Sequence, residues 1–430
     1  MAAEPFPLSP SLWHATAAPA PTTPPLAQKA ETNVAIVGAG YAGLSTALHL
    51  AQKGIHAVVL EAREPGWGGS GRNGGQVIPG VKYDPDELEA RFGRQAGAAL
   101  ADFMGRTADN VFRLIDQHRM EVPRVRNGWI QGAHSQTGLT AVSSRAAQWQ
   151  RRGVDAQLLS KAEIADHLGN EAYLGGWLDP RGGAIQPLSY VRELCRVAQA
   201  AGAIVHSETP VDKIERDGAG WKLTTTGGLA VKARKVVVCT NGYTKRLMPD
   251  IARTVITPNS FQIATTQLSD NLRKSILPHG QVTSDTRKLL LYFRLDHQGR
   301  LLMGGRGPFR EPTGDQDWAQ LERVINRFYP QLQGTPLEHR WCGRVAITQD
   351  FLPHLHEPEP GLIVNVGCQG RGVGLETSMG IVLADYCASG RSDVLPFPIT
   401  PVKPIPFHAL QQLYVAATVT WYRLSDAAWG

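Results

Sequence analysis

Cysteine is scarce in this sequence and carries no pattern. Cys195, Cys239, Cys342, Cys368 and Cys387 are the five in 430 residues. The count is odd and lacks C-x-x-C spacing, which argues against a disulfide framework and a zinc site and for reduced thiols in a cytoplasm. No metal is expected. Long apolar runs are missing too: none approaches the roughly 18 residues a membrane span needs. The N-terminus carries Glu4 and repeated prolines where a secretory leader would carry basic residues and then an unbroken apolar stretch, so the reading is soluble and cytoplasmic. The formal charge is +6, yet Lys and Arg form no long basic run. That argues against nucleic acid as the partner and leaves an anionic small molecule as an explanation of the excess.

What is present is an ordinary globular composition, 42% apolar and 19% charged, on a chain long enough for two interpenetrating domains. Residues 1–30 are Pro/Ala-rich and read as an extended arm, with Trp13 as a pin to the body. "NVAIVGAG", "YAGLSTALHLAQKG" and "HAVVLEA" then read as strand, helix and strand. Residues 86–120 look like two helices, and "VRNGWIQGAHS" like a hairpin. A helix over 188–201, the strand "GAIVHS" and a meander ending in the buried strand Val236 to Thr240 follow. "KLLLYFRLD" and "RLLMGGRG" alternate as strands do. "GLIVNVGCQGRGVGLETSMG" repeats the order strand, glycine loop, helix. "LPFPITPVKPIPF" reads as a surface strap before one short helix.

"GAGYAG" places Gly38, Gly40 and Gly43 at G-x-G-x-x-G spacing where a strand gives way to a helix. The first glycine makes the tight turn, the second lets a pyrophosphate approach the backbone, and the third permits close helix–strand packing. Glu61 follows about 20 residues on, where a carboxylate accepts from ribose hydroxyls. The chain therefore binds a dinucleotide. A nicotinamide dehydrogenase would continue with further β-α units; the inserted helices and meander look instead like an FAD fold. The stretch "GGSGRNGGQ" lies a few residues past that carboxylate.

These segments, with "GGAIQPLSYVRELCRVAQAAGAIVHSETPV", "KVVVCTNGYT" and "RWCGRVAITQDFLPHL", resemble the D-amino-acid-oxidase-like flavoproteins, the glycine and sarcosine oxidase superfamily. Within it they resemble the branch of γ-glutamylputrescine oxidase and L-pipecolate oxidase. The resemblance implies an α/β fold: a Rossmann-like FAD-binding domain of the glutathione-reductase type over 31–90, 155–242 and 341–398. Interleaved with it is an α+β substrate domain on a mixed sheet over 91–154 and 243–340, with a C-terminal strap and helix over 399–430. It also implies that Gly38, Gly40, Gly43, Glu61, Ala62 and Arg63 hold the ADP half of FAD. Gly69, Ser70, Arg72, Asn73, Gly74, Gly75 and Gln76 would line the pyrophosphate and flavin. Val211 would meet the adenine, and Thr240 and Gly242 would lie beneath the dinucleotide. Gly370, Arg371, Gly372, Val373 and Gly374 would face the pyrimidine end of the ring, where bare helix N–H groups and one arginine stabilise the negative charge of the reduced ring.

The chemistry implied is removal of a hydride from the carbon beside a neutral amine to flavin N5, leaving an imine that water hydrolyses. Electrons pass to oxygen, giving peroxide, or to another acceptor. A carboxylate at the far end of the substrate would be anchored by a bidentate arginine. Arg306, Arg371, Arg344 and Arg294 are the candidates, with Tyr292, Tyr243 and Trp341 as walls. Several arginines favour an acidic secondary amine of the pipecolate, sarcosine or iminodiacetate type, or a γ-glutamylated amine. Sarcosine oxidases attach flavin to a cysteine before T-P-D; aligned on Thr348 to Asp350, that position is Gly343, with Cys342 adjacent, so FAD is expected to be non-covalent. Leu302 stands near the point of their oxygen-assisting lysine, which leaves a dehydrogenase with another acceptor as an alternative. A nicotinamide-dependent dehydrogenase, an RNA-modifying enzyme and a non-catalytic flavoprotein are the remaining readings.

Overall fold

The computed structural model describes residues 11–244, 246–411, 415, 419, 421 and 422. It begins with a short helix, α1 (Leu12–Thr16), whose Ser11 hydroxyl accepts from the His14 N–H. Leu12 and Trp13 on α1 are fully buried, so the N-terminal arm is extended only after residue 16. Trp13 is core as well as pin. Two large apolar side chains on one turn gain more from burial than an exposed arm could. Beyond α1 the arm runs along residues 206–209, with the Leu26 N–H donating to the Thr209 hydroxyl.

The first sheet is centred on β1 (Ala30–Val37), parallel to β2 (Ala57–Leu60) on one side and to β12 (Ala230–Val238) on the other. β9 (Ile204–His206) continues parallel beyond β2, and β21 (Leu362–Val366) lies parallel to the C-terminal half of β12. β10 (Val211–Asp217), β11 (Gly220–Thr225) and β12 form the expected antiparallel meander, and β20 (His354–Glu359) folds back on β21. Val34 and Ile36 of β1 enter one apolar cluster while Ala35 and Val37 enter another. Covered on both faces, the strand reads as a continuous apolar run.

One face carries α2 (Tyr41–Gln52), α8 (Pro187–Ala200), α12 (Gly372–Ser389) and α5 (Thr107–Gln117) in a shared core. Residues 85–117 form three helices rather than two: α3 (Pro85–Phe92), α4 (Arg94–Gly105) and α5. Gly93, at φ +81°, breaks the first from the second. A Cβ on Gly97 would stand 2.4 Å from the α3 backbone, which is why a glycine sits there.

The second sheet runs β18 (Leu337–Arg344), β14 (Asn259–Thr265), β17 (Leu301–Arg306), β16 (Tyr292–Leu295), β15 (Val282–Asp285), β5 (Trp129–Ala133), β7 (Gly175–Asp179) and β6 (Gln157–Leu159). Only the β15–β5 pair is parallel among these neighbours. One face packs on α7 (Lys161–Leu168) and α11 (Ala319–Phe328). α6 (Gln136–Arg151) covers the β5–β7 end of the other. The expected hairpin is absent: β4 (Arg124–Val125) pairs with β8 (Gly183–Ile185), which also pairs with β3 (Gln76–Val77), while β5 pairs with β7 and β15. Gly128 at φ +93° turns the chain between sheets instead. The division at residues 155 and 341 shifts as well. β6 and β7 and the whole of β18 belong to the second sheet, because long-range pairing decides membership. α4 and α5, read as substrate domain, pack in the core of the first layer.

β13 (Val255–Ile256) pairs with β19 (Ile347–Thr348), and α9 (Pro249–Ala252) and α10 (Asp270–Ser275) are surface turns of helix. In the segment read as a strap, Ile399 bridges Leu355; most of the region where a short helix is expected lies outside the described residues. No helix among the described residues is long and apolar enough to cross a membrane.

Candidate active site

The two sheets bring their glycine loops together. At the end of β1, Gly38 has φ +104°, and a Cβ on Gly43 would stand 2.0 Å from the Gly38 carbonyl oxygen, so the turn and the helix behind it tolerate no side chain. Gly40 begins α2 with no side-chain cap. Glu61, just past β2, accepts from the Ala39 N–H at 2.7 Å and the Arg63 N–H at 2.9 Å. Burial pushes its carboxyl up, against the pull of those backbone bonds and that of Ala62. The Thr209 N–H donates to the Glu61 carbonyl, which carries the chain to Val211. Thr240 and Gly242 follow β12, and Asn241 between them accepts from the Gly367 N–H at 3.0 Å. That amide link joins two of the glycine loops and has no signature in the sequence.

The loop 68–76 is fixed by its own polar side chains. Ser70 Oγ accepts from the Tyr41 N–H, and the Tyr41 hydroxyl donates to the Ser70 carbonyl at 2.7 Å. Asn73 Nδ2 donates to the Gly69 and Ser70 carbonyls, and its Oδ1 accepts from Gly75 N–H. Buried Arg72 donates to the Trp67 carbonyl and stacks 4.6 Å over the Trp67 ring. Gln76 reaches the Thr283 and Phe293 carbonyls of the second sheet. These contacts within the chain set the shape of the loop.

Facing it is one row across the second sheet: Trp341, Gln262, Gly304, Tyr292, Ser284, Gln131 and Trp177 are register neighbours on successive strands. Gln262 and Trp341 both donate to the Arg72 carbonyl, at 2.6 and 2.9 Å. The Tyr292 ring packs between glycine backbones: a Cβ on Gly304 would stand 2.1 Å from it, and one on Gly74 2.8 Å. Its hydroxyl meets Ser260 Oγ at 2.9 Å, and burial pushes it up to about 12. Arg306 lies beside Tyr292 in the next row; burial lowers its pKa and the tyrosine opposes that. Tyr422, from the C-terminal segment, also acts on Arg306, and Lys288 Nζ lies 5.3 Å from its ring.

The four candidate arginines separate. Arg294 is buried and donates to the Gly74, Ile185 and Leu295 carbonyls, so its fork holds backbone and is not available as an anchor. Arg344 pairs with Glu311 at 2.8 Å and lies 5.3 Å from the Tyr243 ring. Arg306 and Arg371 reach the same sheet face at different places. Arg371 lies 4.7 Å over Trp129 on β5, which is three strand spacings, about 14 Å, from β17. Its Nη1 is buried with no hydrogen-bond partner among the described residues. Burial and then the Arg145 charge push it down to about 10. Arg145, unmarked in sequence reasoning, pairs with Asp84 and donates to Gln131 in the row.

The loop from β21 to α12 has Gly367 and Gly370 at positive φ, with open space where a Gly370 Cβ would lie. α12 has no side-chain cap at Arg371. Val373 faces the core, and Gly374 is required by Thr107 of α5, 3.1 Å from its Cβ position. Cys342 lies on the α11 face of β18, and burial pushes it up to about 12. Gly343, one residue on, faces the loop against Arg72, as strand alternation requires. Two helix N-termini whose N-cap residues make no side-chain cap, a buried guanidinium nitrogen with no hydrogen-bond partner among the described residues and glycine loops suit a large anionic dinucleotide.

The profile of the DAO family, described as FAD dependent oxidoreductase, matches residues 33–386. The chain is 32% identical over 426 residues to a probable oxidoreductase OrdL of Rhizobium meliloti (strain 1021), covering 98% of each. It is 28% identical over 401 residues to a gamma-glutamylputrescine oxidoreductase of Escherichia coli (strain K12), covering 92% of each. In fold it is similar to glycine oxidase from Geobacillus kaustophilus, with TM-score 0.71 and 22% identity over 86% of this chain and 99% of that one.

Proposed function

The chain belongs to the FAD dependent oxidoreductase (DAO) family, and from that premise we propose that it oxidises the C–N bond of a secondary amine carrying a carboxylate. It is an FAD-dependent enzyme acting on amines or amino acids; the class of amine, the anchor and the acceptor are our reading. The observation that carries it is Arg306. Among the described residues this guanidinium has no hydrogen-bond or ion-pair partner, whereas Arg294 and Arg344 are held by their own chain. It stands beside the Tyr292–Ser260 hydroxyl pair on the face opposite Gly74.

Bound FAD supplies the two-electron acceptor. Gly38, Gly40 and Glu61 would hold its ADP end, the 68–76 loop would support its middle, and the α12 N-terminus with Arg371 would hold its far end. Arg306 fixes the substrate carboxylate bidentately. The Tyr292 hydroxyl, neutral throughout the physiological range, donates to the same group and sets its angle. The buried row around them excludes water until an imine leaves to be hydrolysed. The buried, high-pKa thiol of Cys342 and the side-chain-free Gly343 support non-covalent binding. Oxygen is the acceptor in this reading. Free thiols at Cys195, Cys239, Cys342, Cys368 and Cys387 fit a reducing cytoplasm.

A γ-glutamylated amine is the second reading, favoured by the similarity to the gamma-glutamylputrescine oxidoreductase; its glutamyl carboxylate would use the same arginine. Anaerobic mixing with sarcosine, pipecolate, iminodiacetate and γ-glutamylputrescine discriminates, since a substrate bleaches the flavin absorbance. Bleaching by none of them, or only by amines without a carboxylate, overturns the proposal.

A further inference from the structure

The C-terminal chain returns to the substrate face. The Ile405 N–H donates to the Arg253 carbonyl at 2.8 Å, His408 Nε2 donates to the Val255 carbonyl of β13 at 2.9 Å, and Gln411 Nε2 donates to His408 Nδ1. Past that anchor Gln411, Val415, Val419 and Tyr422 are helical and half-buried, at intervals of four, four and three residues, whereas Trp421 is 65% exposed. Such spacing is one face of a helix. The face that ends in Tyr422 is therefore turned to the body of the protein, and Trp421 away from it.

Two neighbours mark where that face ends. Lys288, in the turn between β15 and β16, has its Nζ 5.3 Å from the centre of the Tyr422 ring. Tyr292 opens β16 just after that turn and is the register partner of Gly304, while Arg306, two residues along β17 on the same face, is the partner of Ser260. Burial lowers the pKa of Arg306, and first Tyr292 and then Tyr422 oppose that. Tyr422 thus lies near enough to the guanidinium to bear on its charge. Arg306 is flanked by one tyrosine from its own sheet and by another from the far end of the chain. Each is a hydroxyl donor on a rigid apolar ring, which is ordered at low entropic cost.

We propose that Tyr422 belongs to the substrate pocket and determines which carboxylated amines enter it: its hydroxyl donates to the carboxylate held by Arg306, and its ring closes that end of the pocket. The inference rests on the reading of Arg306 as the carboxylate anchor. The hydroxyl serves every carboxylate alike, whereas the ring discriminates by size, since a bulkier substrate needs the space that the ring fills. A residue on a separate C-terminal segment sets this limit without altering the strands that carry Arg306 and Tyr292.

The test is calorimetric titration of the flavin-loaded full chain with acetate and with cyclohexanecarboxylate, each of which has a carboxylate and no amine to oxidise. Tyr422→Phe keeps the ring and weakens both by about tenfold, as loss of one hydrogen bond to a charged group should. Tyr422→Ala weakens acetate by the same factor and shifts the ratio of the two affinities about fivefold or more towards cyclohexanecarboxylate, because the wall is gone. Trp421→Ala, on the exposed side of the same helix, leaves both within about twofold. Unchanged affinities in Tyr422→Phe, an unchanged ratio in Tyr422→Ala, or a loss in Trp421→Ala equal to that in Tyr422→Ala overturns the proposal; if Arg306→Gln abolishes binding in the same experiment, the reading of Arg306 as anchor survives. Binding that Arg306→Gln leaves unaffected, or that is absent from the wild-type chain, overturns both.

Discussion

The ring of Tyr292 lies against Gly74, 2.8 Å from the position a β-carbon would take. The glycine-rich loop and the second sheet are therefore fitted to each other at a point where neither can change alone. Gly74→Val displaces the ring or the loop, an overpacking cost of about 1–3 kcal/mol. Purified Gly74→Val should carry less FAD per chain, read from the ratio of flavin to protein absorbance. Tyr292→Ala should partly restore it in the double variant. Full flavin in the single variant would show that the loop moves freely.

Arg306→Lys keeps the charge and loses the planar fork, and Arg306→Gln loses both. KM for the carboxylated amine should rise about 10-fold in the first and about 100-fold in the second, matching a charge-assisted hydrogen bond of roughly 1.5–3 kcal/mol. FAD content should not change. Steady-state kinetics with an unchanged KM in both variants would remove Arg306 from the substrate site.

Glu376 is buried in α12, where its carboxyl accepts from Asn365 Nδ2 at 2.5 Å, and burial raises it from 4.5 to about 7. The folded state then holds a proton that the unfolded state releases. The contribution of this group to stability is full below pH 4.5 and is lost as pH rises towards 7. Glu376→Gln removes that dependence. The Tm difference, variant minus wild type, should increase between pH 5 and pH 7.5; a constant difference would mean that Glu376 titrates normally.

Cys342 faces away from the loop with its thiol pushed up by burial. Acid precipitation should leave all flavin in the supernatant, and Cys342→Ala should keep wild-type flavin content. Flavin fluorescence in the denatured protein band of a gel would contradict both.

The sequence by itself determined the local features, because their causes are local. Gly38, Gly40 and Gly43 between an apolar run and a helical period can make only one kind of turn, and Glu61 follows at a fixed distance because strand and helix lengths are fixed. The meander from Val211 and the strand–loop–helix at 362–389 were legible for the same reason. What the tertiary structure decided depends on pairing between distant segments. Arg294 and Arg306 lie on neighbouring strands with the same alternation. Only the approach of the 68–76 loop ties Arg294 to Gly74 while Arg306 is left beside Tyr292. Trp13, in a proline-rich stretch, is core because Asn73 and Trp341 come to it, the latter at 5.7 Å. Residues 157–179 join the second sheet because β7 pairs with β5. Periodicity states that a segment is a strand and which residues share a face. It does not state which strand will lie beside it, since that follows from the free energy of the whole packed core.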